Sequence, residues 1–379
     1  MKVVIAIDSF KGSLSSIEAG NAAKEGILRV YKDASVFVRP VADGGEGTTE
    51  ALYLGMGGEI RRVNVCGPLN NRTDAEYTII KETNTAVIEM SAAAGITLIN
   101  EEQRNPLYTT TYGVGEMIAD AINNGCRNFI IGIGGSATND GGIGMLSALG
   151  FEFLDNNKNA VPLGANGLET LVEIKTDKVL KELKDCRFSV ACDVTNPLCG
   201  VNGCSAVYGP QKGADEKMIK QMDAWLENYA DITKTLFKNS NKDAKGAGAA
   251  GGLGFAFLSF LNAQLKNGIE LILEKTQLEE YIKNADIVIT GEGRLDSQSA
   301  MGKAPVGVAK LAKKHGKTVI AFSGSVTKDA SALNNAGIDA FFPILRSVCS
   351  LEDAMNTKNA YNKMANTVEQ VFRIIKATK

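Results

Sequence analysis

The stretch from residue 3 to residue 12, VVIAIDSFKG, joins a continuous apolar run to a polar turn. An unbroken apolar run such as Val3 to Ile7 is typical of a strand that is buried on both faces, as the strands of a parallel sheet are. Beyond the turn, Ser15 and Glu18 have the spacing of a helix-capping box. This stretch therefore predicts the first strand and the first helix of an α/β fold.

Runs of the same kind occur at both ends of the chain, with amphipathic segments between them. The predicted strands of this group are 3–7, 35–41, 286–290, 318–322 and 340–344. The middle of the chain has its own predicted strands at 85–90, 129–133 and 188–192, and a long helix at 215–237. We therefore expect an α/β fold with a doubly wound parallel sheet built from both chain termini (1–60 plus 284–379) and a second α/β domain (61–283) inserted into it.

The composition excludes several classes of partner. Lys and Arg number 41 and Asp and Glu number 43, a net charge of −2, so no field of one sign is present to hold nucleic acid or an anionic membrane surface. No apolar segment approaches the ~20 residues that span a bilayer. The seven cysteines include no CxxC pair, which favours free thiols in a reducing compartment, and we expect a cytoplasmic protein.

His315 is the only histidine in the sequence. It lies near the end of a Lys-rich segment and before Gly316, a position typical of a solvated helix end. Without a second histidine the chain cannot form a multi-histidine zinc site, and a Ser/His/Asp triad would have to use this residue. A general base must therefore be a carboxylate, a lysine, a tyrosine or a thiol.

Polar turns with glycine follow three of the predicted strands of the terminal group. These turns read DSFKGS at 8–13, ADGGEGT at 42–48 and GEGRLD at 291–296. In a doubly wound sheet, ligands bind outside the carboxyl ends of the strands. Each turn carries a carboxylate, and two of them add the cations Lys11 and Arg294, so we expect a ligand site at this sheet edge.

The middle of the chain has a second glycine-rich turn, NFIIGIGGSATNDGG at 128–142. Gly132, Gly134 and Ala137 satisfy the dinucleotide fingerprint, with Asp155 as the ribose acid, and this pattern keeps an NAD-linked oxidoreductase open. The hydroxyl, amide and carboxylate groups at 136–140 suit terminal phosphates with Mg²⁺ at least as well. The sequence leaves open whether a third segment, GAGAAGGLG at 246–254, contacts phosphates or lets two helices pack closely.

Eight segments together resemble, in order, the bacterial class I glycerate kinases. They are DSFKGSLSS, PVADGGEGT, TYGVGEMI, GIGGSATNDGG, ACDVTNPL, GPQKGAD, GAGAAGGLG, and ITGEGRLDSQS followed by GKAPVGVA. The resemblance implies transfer of a phosphoryl group from ATP to D-glycerate with Mg²⁺, giving 2-phosphoglycerate in most members and 3-phosphoglycerate in some. It also implies two α/β domains, of which one is flavodoxin-like.

Within that implied reaction, residue chemistry suggests the roles. The acceptor hydroxyl needs a carboxylate, and we assign Asp193 as the base, with Asp43 and Asp296 as rivals. Lys11 is expected to act in catalysis, and Arg294, with Asp296 and Ser9, to bind substrate. The predicted nucleotide-binding residues are Gly134, Gly135, Ser136, Thr138 and Asn139, and Asp140 is the predicted metal ligand.

Two other functions remain open at this point. The fingerprint at Gly132 allows an NAD-linked hydroxy-acid oxidoreductase, and two α/β domains allow a solute-binding protein that closes on a hydroxy acid. The expected partner is the small molecule D-glycerate, with no nucleic acid and no membrane. The sequence predicts no oligomeric state.

Overall fold

A computed structural model describes residues 1–42, 51–53, 57–297, 299 and 302–378. The chain divides into two compact units. The terminal unit comprises Met1–Asp43, Glu50–Gly57 and Ile269–Lys379. The central unit comprises Gly44–Thr49 and Gly58–Gly268.

The strands and helices alternate along the chain as the apolar runs and amphipathic segments predict. The strands are β1 (Lys2–Ile7), β2 (Ser35–Val38), β3 (Glu59–Cys66), β4 (Arg72–Ile80), β5 (Thr85–Glu89), β6 (Asn128–Gly132), β7 (Glu152–Leu154), β8 (Glu173–Lys175), β9 (Arg187–Ala191), β10 (Gln264–Lys266), β11 (Ile287–Leu295), β12 (Thr318–Val326) and β13 (Ala340–Pro343). The α-helices are α1 (Ser16–Val30), α2 (Ser91–Ala94), α3 (Tyr112–Asn123), α4 (Ile143–Ala148), α5 (Cys204–Tyr208), α6 (Glu216–Leu236), α7 (Ala249–Phe260), α8 (Gly268–Lys275), α9 (Leu278–Lys283), α10 (Ala304–Lys314), α11 (Ala332–Asn335), α12 (Leu351–Met355) and α13 (Thr357–Ala377). No helix within the described ranges combines the length and the apolar character needed to cross a membrane.

The terminal unit has a five-stranded parallel sheet in the order β13-β12-β11-β1-β2. Counted along this unit, the order is 2-1-3-4-5, which is the order of flavodoxin-like sheets. Strand β1 lies in the middle, where Val3 pairs with Ile287 on one side and with Val36 on the other. The predicted α/β fold with a parallel sheet built from both chain ends is confirmed.

Helix α1 begins as its sequence predicts. The Ser15 side chain accepts a hydrogen bond from the backbone N–H of Glu18, and the Glu18 carboxylate accepts one from the N–H of Ser15. This box satisfies two donors that a helix start leaves without partners. Helix α1 then packs against α13, where Gly26 leaves no room for a side chain beside the backbone of Ala365.

Substituting Ser15 by alanine is expected to lower the free energy of unfolding by about 1 kcal/mol, because the N–H of Glu18 loses its acceptor. Urea unfolding of the variant and of Ser15→Thr, which keeps the hydroxyl group, measures the effect. Equal stability of the alanine variant and the wild type would contradict this account of the helix start.

The central unit has a six-stranded mixed sheet in the order β10-β9-β6-β5-β4-β3. Strands β5, β6, β9 and β10 are parallel, and they include the three predicted strands of this region. The antiparallel pair β3 and β4 at the sheet edge was not predicted. Exposed polar residues such as Arg62, Asp74 and Glu76 alternate with buried or half-buried ones there, so the strands lack the continuous apolar run that marks the others.

Helix α6 corresponds to the long helix predicted at 215–237, and it covers this core with a stripe of apolar side chains. Met222, Leu226 and Tyr229 are fully buried, and the Tyr229 ring stacks on Phe260 with centroids 6.1 Å apart. The helix begins at Asp215, whose side chain accepts from the backbone N–H of Met218. The stripe is therefore part of the hydrophobic core.

The second boundary between the units falls after Gly268, whereas the boundary predicted from the sequence is 283/284. Helices α8 and α9 therefore belong to the terminal unit, apart from the first residue of α8. Their side chains pack there: Ile269 fills the space at Gly307, and the Arg39 guanidinium lies 4.2 Å from the centre of the Tyr281 ring. His315 ends α10 as expected, and its Nε2 lies 2.7 Å from Glu279 Oε1.

Candidate active site

In the terminal unit, four predicted site residues lie at the carboxyl ends of β1 and β11: Ser9 and Lys11 follow β1, Arg294 lies near the end of β11, and Asp296 follows it. The backbone N–H of Asp8 donates to the carbonyl of Gly291, which aligns the turn after β1 with the end of β11. A Cβ on Gly293 would lie 3.4 Å from Cα of Phe10 and 3.7 Å from the backbone nitrogen of Lys11. The turn that carries Ser9 and Lys11 therefore passes directly over the strand that leads to Arg294 and Asp296.

Arg294 presents its guanidinium at this edge. Its side chain is 66% exposed, and its Nε lies 3.4 Å from Asp296 Oδ2. Asp296 is held in turn by Ser299, whose backbone N–H donates to Asp296 Oδ1. An exposed guanidinium that is oriented by a fixed carboxylate can bind a second carboxylate or a phosphate through two parallel hydrogen bonds.

Two buried carboxylates at the same edge were not selected from the sequence. Asp8 is 2% exposed and Glu292 is 8% exposed, and the Ser299 hydroxyl donates to Glu292 Oε1. Both lie in the quoted turns, but an acidic residue beside glycine is also an ordinary turn former, so composition alone did not distinguish them. Their position in the sequence could have identified them, because each acidic residue directly follows buried strand residues. Asp43 lies outside the described residues.

In the central unit, the predicted nucleotide-binding residues form the turn between β6 and α4. Gly134 and Gly135 are exposed, and Gly135 has a φ of +74°. The backbone N–H groups of these glycines donate to no residue that the structure describes. Ser136 is 8% exposed and lies just behind them. The turn thus exposes backbone donors without protein acceptors, among the described residues, at the carboxyl end of a parallel strand.

Thr138 and Asn139 are completely buried beneath this surface. The Asn139 amide donates to the Ser205 hydroxyl at 2.9 Å. Among the described residues, Thr138 Oγ1 and Asn139 Oδ1 have no hydrogen-bond partner. Unpartnered buried oxygens in a native fold need an explanation, and a bound ligand or water near the turn supplies one.

Asp140, the predicted metal ligand, is also fully buried. Its Oδ2 accepts from the N–H and the hydroxyl of Thr111, and its Oδ1 accepts from the N–H of Gly142. Burial raises the pKa of this carboxyl, while these donors favour the charged form. Asp140 therefore holds the turn in shape, and protein donors already occupy acceptor sites on both of its oxygens.

The segment 246–254 packs against this turn. Gly251 has a φ of +66°, and a Cβ there would overlap the carbonyl oxygen of Thr138. Its own carbonyl accepts from the N–H of Gly141 at 2.9 Å. Of the two alternatives left open by the sequence, close backbone packing is the one that these contacts support.

Lys212 contacts this turn and is not among the site residues predicted from the sequence. It is 2% exposed, and its Nζ donates to Ser136 Oγ at 2.7 Å and to the carbonyl of Thr138 at 2.6 Å. Burial lowers the pKa of this ammonium to about 8, and the nearby Cys204 and Asp140 side chains partly oppose that shift. The sequence could have indicated this residue, because Lys212 lies in a short segment between Gly209 and Gly213 and not on the exposed face of an amphipathic helix.

The pKa of Lys212 makes stability depend on pH. The unfolded chain binds the proton up to about pH 10.5 and the folded chain only to about pH 8, so unfolding takes up a proton between these values. The free energy of unfolding is therefore expected to rise from pH 8 to pH 10.5 through this group. Comparing chemical unfolding of wild type and Lys212→Met over that range isolates the effect; parallel pH curves for the two proteins would contradict it.

Asp193 lies beside the same turn in the sheet. It follows β9, which pairs with β6 so that Gly132 lies opposite Ala191, and its carboxylate is exposed. Its Oδ1 accepts from the N–H of Gly268 at 2.9 Å. Glu89, at the end of β5 and opposite Gly132, adds a second carboxylate that the sequence analysis did not select.

Asp155 does not have the position that the dinucleotide interpretation requires. That interpretation needs an acid after a strand of the same sheet as the glycine turn. Asp155 instead follows β7, which pairs with β8 in a separate two-stranded sheet, and its carboxylate accepts from the N–H groups of Asn157 and Asn159. The arrangement does not support an NAD site.

The family model for the glycerate kinase family matches residues 3–376. The chain belongs to the glycerate kinase family. Glycerate 2-kinase of Escherichia coli strain K12 is 47% identical over 98% of this chain and 97% of its own length. Glycerate kinase of Bacillus subtilis strain 168 is 44% identical over 100% of this chain and 99% of its own length.

The structure of this glycerate kinase family member is similar over its whole length to a crystal structure from Salmonella typhimurium LT2 that is provisionally described as glycerate kinase 2. The TM-score is 0.91 at 45% identity, and the match covers 100% of this chain and 99% of the other. The fold is thus that of a solved family structure. The resemblance drawn from the eight sequence segments is confirmed.

Proposed function

We propose that this protein transfers the γ-phosphoryl group of ATP to D-glycerate and forms 2-phosphoglycerate. The observation that carries the proposal is the 47% identity, over 98% of the chain, to the glycerate 2-kinase of Escherichia coli. The name of that relative specifies the 2-position. An NAD-linked oxidoreductase has no comparable support, because Asp155 follows a strand of a separate sheet.

The turn of the central unit is proposed to bind the nucleotide phosphates. The N–H groups of Gly134 and Gly135 suit phosphate oxygens, and the unpartnered Thr138 Oγ1 and Asn139 Oδ1 fit a site completed by ligand or water. ATP supplies the phosphoryl group when it is bound. The chain supplies a fixed set of donors, which is the main requirement of phosphoryl transfer.

The carboxylate of Asp193 is proposed to accept the proton of the glycerate hydroxyl. The side chain is exposed at the end of β9 and is oriented by the N–H of Gly268. A carboxylate is the expected base, because the single histidine is bound to Glu279 at the end of α10. Lys11 is proposed to assist catalysis, and Arg294, with Asp296 and Ser9, to bind the glycerate carboxylate or the γ-phosphate.

Mg²⁺ is proposed to enter with the nucleotide. Mg²⁺ commonly keeps several waters and binds through substrate phosphates and one or two carboxylates. Within the described ranges, no group of three or more His, Cys, Asp or Glu side chains could hold a metal ion. The buried Asp140 does not present its oxygens, so the residues present fit a phosphate-bound ion better than a protein cage.

The seven cysteines are all free thiols, which fits the expected reducing, cytoplasmic compartment. D-Glycerate remains the proposed small-molecule partner.

Release of ADP tests the reaction class. The purified protein is incubated with MgATP and D-glycerate, with L-glycerate and no-acceptor reactions as controls, and ADP is measured. We expect ADP release that depends on D-glycerate. Absence of ADP together with a D-glycerate-dependent absorbance change of NAD would instead establish the oxidoreductase.

A further inference from the structure

Lys212 is buried without an ion-pair partner. Its side chain is 2% exposed, and among the described residues its Nζ contacts a hydroxyl and a carbonyl oxygen rather than a carboxylate. Lysine is almost never fully buried unless it is paired, because removing an ammonium from water is costly. Two of its three N–H bonds are directed at Ser136 Oγ and at the carbonyl of Thr138. The compensation within the described fold is therefore partial.

The contact with Ser136 determines that its hydroxyl hydrogen is not donated to Lys212. A hydroxyl group has one donor and two acceptor sites. Since Ser136 Oγ accepts from Lys212 Nζ, its own hydrogen must point elsewhere, and it donates to no residue that the structure describes. Ser136 lies directly after the two exposed glycines of the turn. The Ser136 hydroxyl group can therefore donate its hydrogen bond at the surface where the phosphates are proposed to bind.

We propose that Lys212 is a positioning residue for the nucleotide: it orients the Ser136 hydroxyl as a donor to a phosphate oxygen and places a positive charge beneath the turn. This inference rests on the proposed function of the turn. The phosphate would supply the negative charge that the buried ammonium lacks, and charge-assisted hydrogen bonds are the stronger kind. The groups that face Lys212 electrostatically are Asp140, whose oxygens are held by protein donors, and the buried thiol of Cys204.

The test compares the binding of ATP with the kinetics of the full chain. Calorimetry with ATP and no glycerate gives the Kd for wild type, Lys212→Met and Ser136→Ala, and steady-state assays give kcat and both KM values. We expect the Kd and the KM for ATP to rise about tenfold or more in Lys212→Met, and the KM for D-glycerate to stay within about twofold. Lys220→Met, which removes an exposed lysine of α6, is the matched control and should retain the wild-type constants.

A double variant tests whether the two residues act together. If Lys212 acts through Ser136, the pair Lys212→Met with Ser136→Ala should bind ATP no more weakly than Lys212→Met alone. Ser136→Thr, which keeps the hydroxyl group, should retain the wild-type affinity. If the loss of ATP affinity in the double variant equals the product of the two single-variant losses, the two residues act independently and the coupling is overturned.

The outcomes separate this inference from the proposed function. A wild type that binds no ATP overturns both. A wild type that binds ATP, beside a folded Lys212→Met variant of equal affinity, overturns the role of Lys212 alone. If Lys212→Met fails to fold, Ser136→Ala decides, since it leaves the lysine in place: weaker ATP binding supports the inference and unchanged binding overturns it.

Discussion

Asp193→Asn is expected to lower kcat by ~10² or more, because an amide cannot accept the proton of the glycerate hydroxyl. The substitution keeps the size of the side chain and an oxygen that can accept from the N–H of Gly268, so the protein should remain folded. Steady-state assays with saturating MgATP and D-glycerate measure the loss. Circular dichroism checks the fold.

The matched control for this prediction is Asp177→Asn. Asp177 is exposed in the same unit and lies on no proposed site, so its loss should leave kcat unchanged. Near-normal turnover in Asp193→Asn would transfer the role of the base to Asp43 or Asp296. A loss confined to the KM for D-glycerate would assign Asp193 to binding.

Gly251→Ala should be the most damaging of the small substitutions considered for the central unit. The new Cβ would overlap the carbonyl oxygen of Thr138, and the backbone has a φ of +66°, which side-chain-bearing residues rarely adopt. We expect the free energy of unfolding to fall by about 3 kcal/mol or more, since both the strain and the overlap must be relieved. Activity should fall as well, because the displaced segment is the proposed phosphate-binding turn.

Gly125→Ala separates the two causes of that loss. Gly125 has a φ of +86° in the same unit, but a Cβ there would meet nothing within 4 Å. The Gly125→Ala variant therefore measures the cost of backbone strain alone. Urea unfolding of both variants gives the additional free energy that the overlap with Thr138 costs in Gly251→Ala. Equal losses at the two positions would contradict close packing of residue 251 on the turn.

The strands that carry the candidate site were predictable because each is a continuous apolar run followed by a polar turn. Residues 3–7 show this pattern, and β1 is Lys2–Ile7. The pair β3 and β4 could not be found in this way, because a sheet edge with one solvated face mixes charged and apolar residues. The start of α1 was predictable in detail, since a capping box is a local pattern.

The roles of individual polar residues in the turn were less accessible. Asp140 is of the type that binds Mg²⁺, but whether its oxygens face solvent or Thr111 depends on contacts far apart in sequence. Lys212 was overlooked for the same reason, since a lysine is expected to be exposed and only the tertiary fold buries it against Ser136. Gly251 could have faced a ligand or a backbone, and only its contact with Thr138 decides.

Identification of the product tests the central claim most directly. The protein is incubated with D-glycerate and MgATP, and the two phosphoglycerate isomers are separated and quantified together with ADP. The account predicts 2-phosphoglycerate in amounts equal to the ADP formed, with none when either substrate is omitted. Recovery of D-glycerate without any phosphorylated product, from a folded protein, would contradict it.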